Sequence, residues 1–270
     1  MDTNAPFALL LATLAGLSTA IGGVIAIFAC RPKCWHLALL LGFSAGVMLY
    51  LSFAELLATA VSSIGLLAAN LAFFIGIAFI GLIDLVIPHE YKEERIADSH
   101  PSLASRLLSE GHGNRSGRSS VLMRAGFLTA LGVAIHNFPE GLVVFGSVVG
   151  GDVNLGIIVA IAIGLHNIPE GIGVFVPVYE ASNSKRRAFL YALLAGIVEP
   201  IGALLGYAIL APFFTPTLAS DLLAFSGGIM VYISLDELLP AAHKYGEAHL
   251  AIVGIVAGMM VMAASLIVLN

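Results

Sequence analysis

The sequence predicts an all-α membrane protein of eight transmembrane helices. Helices 1–3 and 6–8 form inverted repeats around a central antiparallel pair, helices 4 and 5. Three observations predict this fold. First, the chain of 270 residues is 59% hydrophobic and 11% charged, with a mean hydropathy of +0.99. Soluble domains carry about 25% charged residues, so a bilayer is the solvent that suits this composition. Second, eight apolar stretches can be drawn, at residues 5–29, 35–60, 64–87, 122–147, 154–178, 187–211, 218–241 and 248–269. Each is long enough to cross about 30 Å of hydrocarbon as a helix of about 20 residues. Third, all 12 lysines and arginines fall in or beside alternate gaps between these stretches, a pattern that one missed helix would scatter.

The first stretch is long and has no basic segment before it, so it reads as a retained span and not as a cleaved signal. The first gap, "CRPKC", holds Arg31 and Lys33 between Cys30 and Cys34. Cysteines at that spacing can bind metal or form a disulfide; the plain reading is two loop thiols. The gap after the third stretch, residues 88–121, is rich in Ser, Gly, Arg and Glu and carries His89, His100 and His112. It reads as a flexible cytoplasmic loop inside a single polytopic domain, 1–270. Its histidines either bind metal transiently or are incidental to a solvated linker. Lys92, Arg95, Arg106, Arg115, Arg118 and Arg124 lie in or beside this gap, Lys185, Arg186 and Arg187 in the gap after the fifth stretch, and Lys244 in the gap after the seventh. The positive-inside rule makes that side cytoplasmic. An even number of spans then puts both termini outside.

Two internal repeats support the architecture. "GVAIHNFPEG" (132–141) on helix 4 returns as "AIGLHNIPEG" (162–171) on helix 5. "LGFSAGVMLYLSFAELLATA" (41–60) on helix 2 aligns without gaps with "LAFSGGIMVYISLDELLPAA" (223–242) on helix 7. Matched Ser, Tyr and Glu in register go beyond the chance likeness of apolar helices. Both pairs are separated by an odd number of spans and so run antiparallel. Inverted repeats with a site near the midplane are the architecture of alternating-access transporters. Gly42-x-x-x-Gly46, Gly202-x-x-x-Gly206 and Gly254-x-x-x-Gly258 let helix backbones approach closely.

Among the carboxylates within the spans are Glu55, Asp84, Glu140, Glu170, Glu199, Asp236 and Glu237. No lysine or arginine lies at matching depth. A carboxylate at the centre of a membrane helix costs at least about 2.5 kcal/mol, so each must be protonated, hydrated or bound to a cation. His136 is 12 residues past Arg124, about 18 Å along a helix and so near the midplane. His166 and Glu170 lie midway along helix 5, and Glu199 is as far past Arg187 as His136 is past Arg124. His136 and Glu140 share a helix face, as do His166 and Glu170, with Asn137 and Asn167 flanking. Two such helices facing each other bring two imidazoles and two carboxylates together, a donor set that suits Zn²⁺. The asparagine side, with Glu199, makes a second, oxygen-rich group. Glu140 and Glu170 can bridge both, giving two metals a few ångströms apart. Pro139, Pro169 and Pro200 each remove a helix donor, bend the helix and free a carbonyl near the site.

The remaining acids carry two readings each. Glu55 falls near the outer mouth, Asp236 and Glu237 near the inner one, and Asp84 and His89 at the inner end of helix 3. They relay cations at the entrance and exit, or they are hydrated interface residues.

At these residues the chain resembles the ZIP (Zrt/Irt-like) metal transporters, closely so the bacterial ZupT-type zinc transporters. "HNFPEG" on span 4, "HNIPEG" on span 5 and a central glutamate on span 6 are that family's motif set, and the resemblance covers nearly the whole chain. It implies import of Zn²⁺, and often Fe²⁺, Mn²⁺, Co²⁺ or Cd²⁺, into the cytoplasm across the bacterial inner membrane. It implies one metal position of His136, Glu140, His166 and Glu170 and another of Asn137, Glu140, Asn167, Glu170 and Glu199. It also implies homodimers and an elevator-like motion of helices 1, 4, 5 and 6. The metal is cargo, with no cofactor beside it and no nucleic-acid partner. The loop departs from the pattern, because its histidines are spread out where many eukaryotic members cluster them.

Two rivals remain. An intramembrane zinc protease would show H-E-x-x-H, which the sequence lacks, and a di-iron oxygenase would show a dense run of histidine boxes; the expectation is therefore not an enzyme. A proton-coupled carrier of an organic solute, using the acids as relays, is the other.

Overall fold

A computed structural model describes residues 4–28, 34–86, 115–150, 153–213, 215–245 and 248–269. Among them are eight helices long and apolar enough to cross a membrane. These are α1 (Ala5–Phe28), α2 (residues 34–64), α3 (Leu66–Val86), α4 (Arg115–Val149), α5 (Val153–Ser182), α6 (Lys185–Leu210), α7 (residues 216–245) and α8 (Ala248–Leu269). No strand occurs among the described residues. The faces turned away from the bundle carry Leu66, Leu67, Phe74, Leu82, Ile267 and Val268, all largely exposed, as lipid-facing residues are when the solvent is hydrocarbon.

Local chemistry sets the helix limits. Gly65, at φ +83°, ends α2 in a conformation that side chains disfavour, and α3 starts at the next residue. Thr215 caps α7 by accepting a hydrogen bond from the Leu218 amide at 3.1 Å, with Pro216 at the first helical position. One boundary differs from expectation. α4 begins at Arg115, so residues 115–121, assigned to the loop, are helical. The physical reason is that a helix can continue past the bilayer into water, where polar residues complete its turns and hydropathy gives no signal. Cys34 opens α2; Cys30, His89, His100 and His112 lie outside the described residues.

Two helices change pitch at matched places. α2 passes through a π-helical turn at Ser52–Leu57 and α7 through one at Ser234–Leu238. Both turns start at a serine whose hydroxyl donates to the carbonyl four residues back, Ser52 to Met48 and Ser234 to Met230, each at 2.7 Å. A hydroxyl on that carbonyl competes with the helix's own amide, and the ladder widens there.

The packing has a two-fold order. α1 and α4 each pack on α5 and α6; α1 meets α6, α4 meets α5, and α1 touches α4. Around this four-helix group α8 pairs with α2 and α3 with α7, while α2 joins α5 and α7 joins α4. Exchanging α1 with α6, α2 with α7, α3 with α8 and α4 with α5 turns these pairings into themselves. Close approaches obey the same exchange. Gly46 sits on the Ile255 carbonyl and Gly228 on that of Phe73, Gly258 on that of Phe43 and Gly76 on that of Phe225, each where a Cβ would collide. The inverted repeats expected from the sequence are thus the packing plan of the molecule.

Candidate metal centre

The centre of the four-helix group is polar. His136, Asn137 and Glu140 on α4, His166, Asn167 and Glu170 on α5, and Glu199 on α6 each expose 1% of their surface or less. Both repeated motifs lie within unbroken helix, through Pro139 on α4 and Pro169 on α5, as does Pro200 on α6. The four-residue spacing turns His and Glu to one face, and the two helices present these faces to each other.

The contacts are crossed. His136 Nε2 lies 2.9 Å from Glu170 Oε2, and His166 Nε2 lies 3.1 Å from Glu140 Oε1. Each imidazole is engaged by the carboxylate of the opposite helix, not by that of its own. Ser44 on α2 donates from its hydroxyl to Glu170 Oε1 at 3.0 Å and lies 3.3 Å from the His166 carbonyl. The asparagines brace the flanks: Asn137 Nδ2 donates to the Ala195 carbonyl on α6, and Asn167 Nδ2 to the Ala15 carbonyl on α1, both at 3.1 Å. Asn167 Nδ2 also donates to Glu199 Oε2 at 2.9 Å. Helices 4, 5 and 6 thereby form one polar cluster.

The cluster is short of partners. Buried atoms with no hydrogen bond include His136 Nδ1, His166 Nδ1, Asn137 Oδ1, Asn167 Oδ1, Glu140 Oε2 and Glu199 Oε1. Leaving a buried donor or acceptor unpaired costs about 1–3 kcal/mol. Such a concentration at one spot marks polar groups kept for a purpose other than stability. Four of the six are oxygens, donors that a hard or borderline cation accepts. With His and Glu closed on one another, no three His, Cys, Asp or Glu side chains among the described residues surround a common point as ligands would.

Comparison with known proteins identifies the family. The family profile described as "ZIP Zinc transporter" matches residues 88–266. A "Zinc transporter ZupT" of Chlorobium phaeovibrioides is 50% identical, with 97% of both chains aligned. One of Clostridium perfringens is 47% identical over 98% of this chain and 96% of its own. One of Lysinibacillus sphaericus is 44% identical over the full length of both. The chain belongs to the ZIP zinc transporter family. Its ZIP relatives are transporters and not enzymes, in line with the missing H-E-x-x-H, and the eight helices make this ZIP chain a multi-pass membrane protein.

The other acids singled out in the sequence lie away from the cluster. Asp84 on α3 is buried and accepts from the Tyr232 hydroxyl at 3.3 Å. Glu55 and Glu237 are half-buried and occupy matching places in the two π-helical turns, and Asp236 beside Glu237 is exposed. Glu237 turns toward α4, since a Cβ on Gly132 would stand 3.1 Å from its Oε2. Gly132 is one helical turn before His136.

Sequence reasoning missed Ser44, its α7 counterpart Ser226, and Thr19 on α1. All three are buried. Ser44 and Ser226 were visible as a matched pair in the α2/α7 repeat, and a serine repeated in register within an apolar helix was the signal.

Proposed function

We propose that this ZIP chain imports divalent metal, zinc first, from outside into the cytoplasm through a binuclear site at the membrane midplane. His136, Glu140, His166 and Glu170 hold one ion. Asn137, Glu140, Asn167, Glu170 and Glu199 hold the other, with Glu140 and Glu170 bridging. The observation that carries this reading is the crossed pair of His–Glu contacts, buried beside an Asn167–Glu199 contact, in a membrane interior with no lysine or arginine at that depth. Three carboxylates there are tolerable when cations neutralise them. Imidazole with carboxylate suits zinc, and the same donors accept Fe²⁺, Mn²⁺, Co²⁺ and Cd²⁺. The relatives are named zinc transporters, which puts zinc first.

Alternating access follows from the two-fold packing. The α1, α4, α5 and α6 group holds the site and moves against α2, α3, α7 and α8. Each imidazole exchanges its carboxylate partner for the ion when cargo arrives. Glu55 attracts cations at the outer mouth, and Asp236, Glu237, Asp84 and His89 receive them at the inner one. Glu237 leaning on α4 one turn before His136 supports that role. The basic residues, gathered at alternate gaps, support cytoplasmic loops on that side and both termini outside, in a bacterial inner membrane. Association into homodimers belongs to the same reading.

The test is zinc uptake into vesicles by wild type, Glu140→Ala and His136→Ala. Both variants should lose uptake, and wild-type rates in both would sink the site assignment. Competition by Fe²⁺, Mn²⁺ and Co²⁺ in the same vesicles ranks the metals.

A further inference from the structure

We propose that the hydroxyl of Thr19 on α1 is an additional oxygen donor to the second metal position, facing it from the side opposite Glu199. The proposal rests on the binuclear reading above and adds a helix to the site.

The two-fold order assigns Thr19 and Glu199 to equivalent places. "LATLAGLSTAIG" (11–22) on α1 aligns without gaps with "YALLAGIVEPIG" (191–202) on α6, sharing Ala-Gly and Ile-Gly pairs in register. The contacts follow the alignment. Gly16 sits on the Gly196 carbonyl and Gly196 on that of Gly16; Gly171 sits on the carbonyl of Thr19 and Gly141 on that of Glu199. A Cβ on Gly196 would stand 3.0 Å from Thr19 Cβ, and a Cβ on Gly16 would stand 3.1 Å from Glu199 Cβ. The two side chains thus leave their backbones at matching points. Among the groups at the centre, the exchange of halves maps histidine on histidine, asparagine on asparagine and glutamate on glutamate. Only here does it set a threonine against a glutamate.

The hydroxyl is free for this work. Thr19 is fully buried and its Oγ1 has no hydrogen-bond partner. A helical threonine usually donates to the carbonyl one turn back, as Thr13 does to Leu9 at 2.7 Å on the same helix. For Thr19 that carbonyl belongs to Ala15, which already accepts from Asn167 Nδ2 and from Ser18 Oγ. The oxygen is left without its local acceptor, on a residue whose backbone carbonyl meets Gly171, the neighbour of Glu170. A cation on the asparagine side is the partner its lone pairs fit. The choice of a neutral donor also has an electrostatic reason. A glutamate here would put a fourth carboxylate into a membrane interior that already holds Glu140, Glu170 and Glu199, and would hold the cargo too firmly to release.

The experiment titrates Zn²⁺ into full-length wild type, Thr19→Val, Thr19→Ser and Glu199→Gln by equilibrium dialysis, with thermal melts as a check on folding. Thr19→Val keeps the shape and removes the oxygen. It should weaken one of two bound zinc ions by about tenfold, the low end for loss of a group that supports a metal site, and leave the other unchanged. Thr19→Ser keeps the oxygen and should bind as wild type does. Wild-type affinities in Thr19→Val overturn the proposal, as does a loss in Thr19→Ser equal to that in Thr19→Val, which would assign the effect to packing. If Glu199→Gln weakens one zinc while Thr19→Val does not, the binuclear reading stands and the Thr19 assignment alone fails. If Glu199→Gln also leaves both ions unaffected, the binuclear reading falls and the Thr19 assignment with it.

Discussion

The two halves of the molecule are built alike at their centre and differ at their seams. On one side α2 reaches the site: Ser44 touches Glu170, and α5 packs on α8. On the other side the matching serine, Ser226, has no hydrogen-bond partner. There, α4 and α3 are separated by an apolar cavity of about 430 Å³, lined by Ile80, Ile83, Ile135, Phe138 and Phe225 among others. Two repeats of the same design thus sit in two states, one closed and one parted. On the alternating-access reading proposed above, repeats that exchange states between the two sides of the membrane would show such a difference.

The comparison can be broken at its centre first. If the central pairs are equivalent, Glu140→Ala and Glu170→Ala should each cut zinc uptake by about 100-fold, and their vesicle rates should match. A large loss in one with none in the other would mean that the halves are alike in shape only. A second pair tests the packing. Gly141 and Gly171 sit on the carbonyls of Glu199 and Thr19, so an alanine at either place forces backbones apart. Each change should destabilise the fold by about 2 kcal/mol, a typical cost of overpacking. Thermal melts in detergent should shift by similar amounts for both.

Protons give a third test. Imidazole and carboxylate bind zinc only when deprotonated, and free histidine titrates near pH 6.5. Zinc affinity should fall about tenfold between about pH 7.5 and 5.5 as protons compete for His136 and His166. A flat profile by equilibrium dialysis would remove both histidines from the site. The smallest effect sharpens the seam. Ser44→Ala removes a hydrogen bond to Glu170 and should cost about 1 kcal/mol, a severalfold rise in KM for uptake. Ser226→Ala should change nothing measurable, because no bond is lost.

Much of this was legible in the sequence because the bilayer simplifies the code. Long apolar stretches, basic residues in alternate gaps and a duplicated His-Asn-x-Pro-Glu-Gly group are strong signals, and the helices observed follow the eight stretches to within a few residues at most limits. What escaped had physical reasons. The crossed pairing of His136 with Glu170 depends on how α4 and α5 cross, which spacing along one helix does not record. The π-helical turns escaped because the serine-to-carbonyl bond that opens each of them is also made by Ser147, Ser182, Ser220 and Ser265 in regular helix. The first turns of α4 lie in polar sequence that reads as loop. Thr19 was hidden because threonine passes for an apolar, β-branched residue among alanines and glycines. The α1/α6 alignment would have exposed it.

The polarity of α4 also constrains how the chain is made. Its membrane segment, Thr129–Val149, is the least apolar of the eight and the most enclosed by protein, whereas Leu66–Leu85 and His249–Val268 are the most apolar and mostly face outward. A segment carrying His136, Asn137 and Glu140 gains little by dissolving in lipid alone. Its stable residence needs α5 and α6, which follow it in the chain. Marginal hydropathy of this kind favours an α4 that settles in the bilayer together with those later helices rather than alone. The polar groups at the centre thus also bear on the order of assembly, because α6, the last helix around them, ends only at Leu210 of 270 residues.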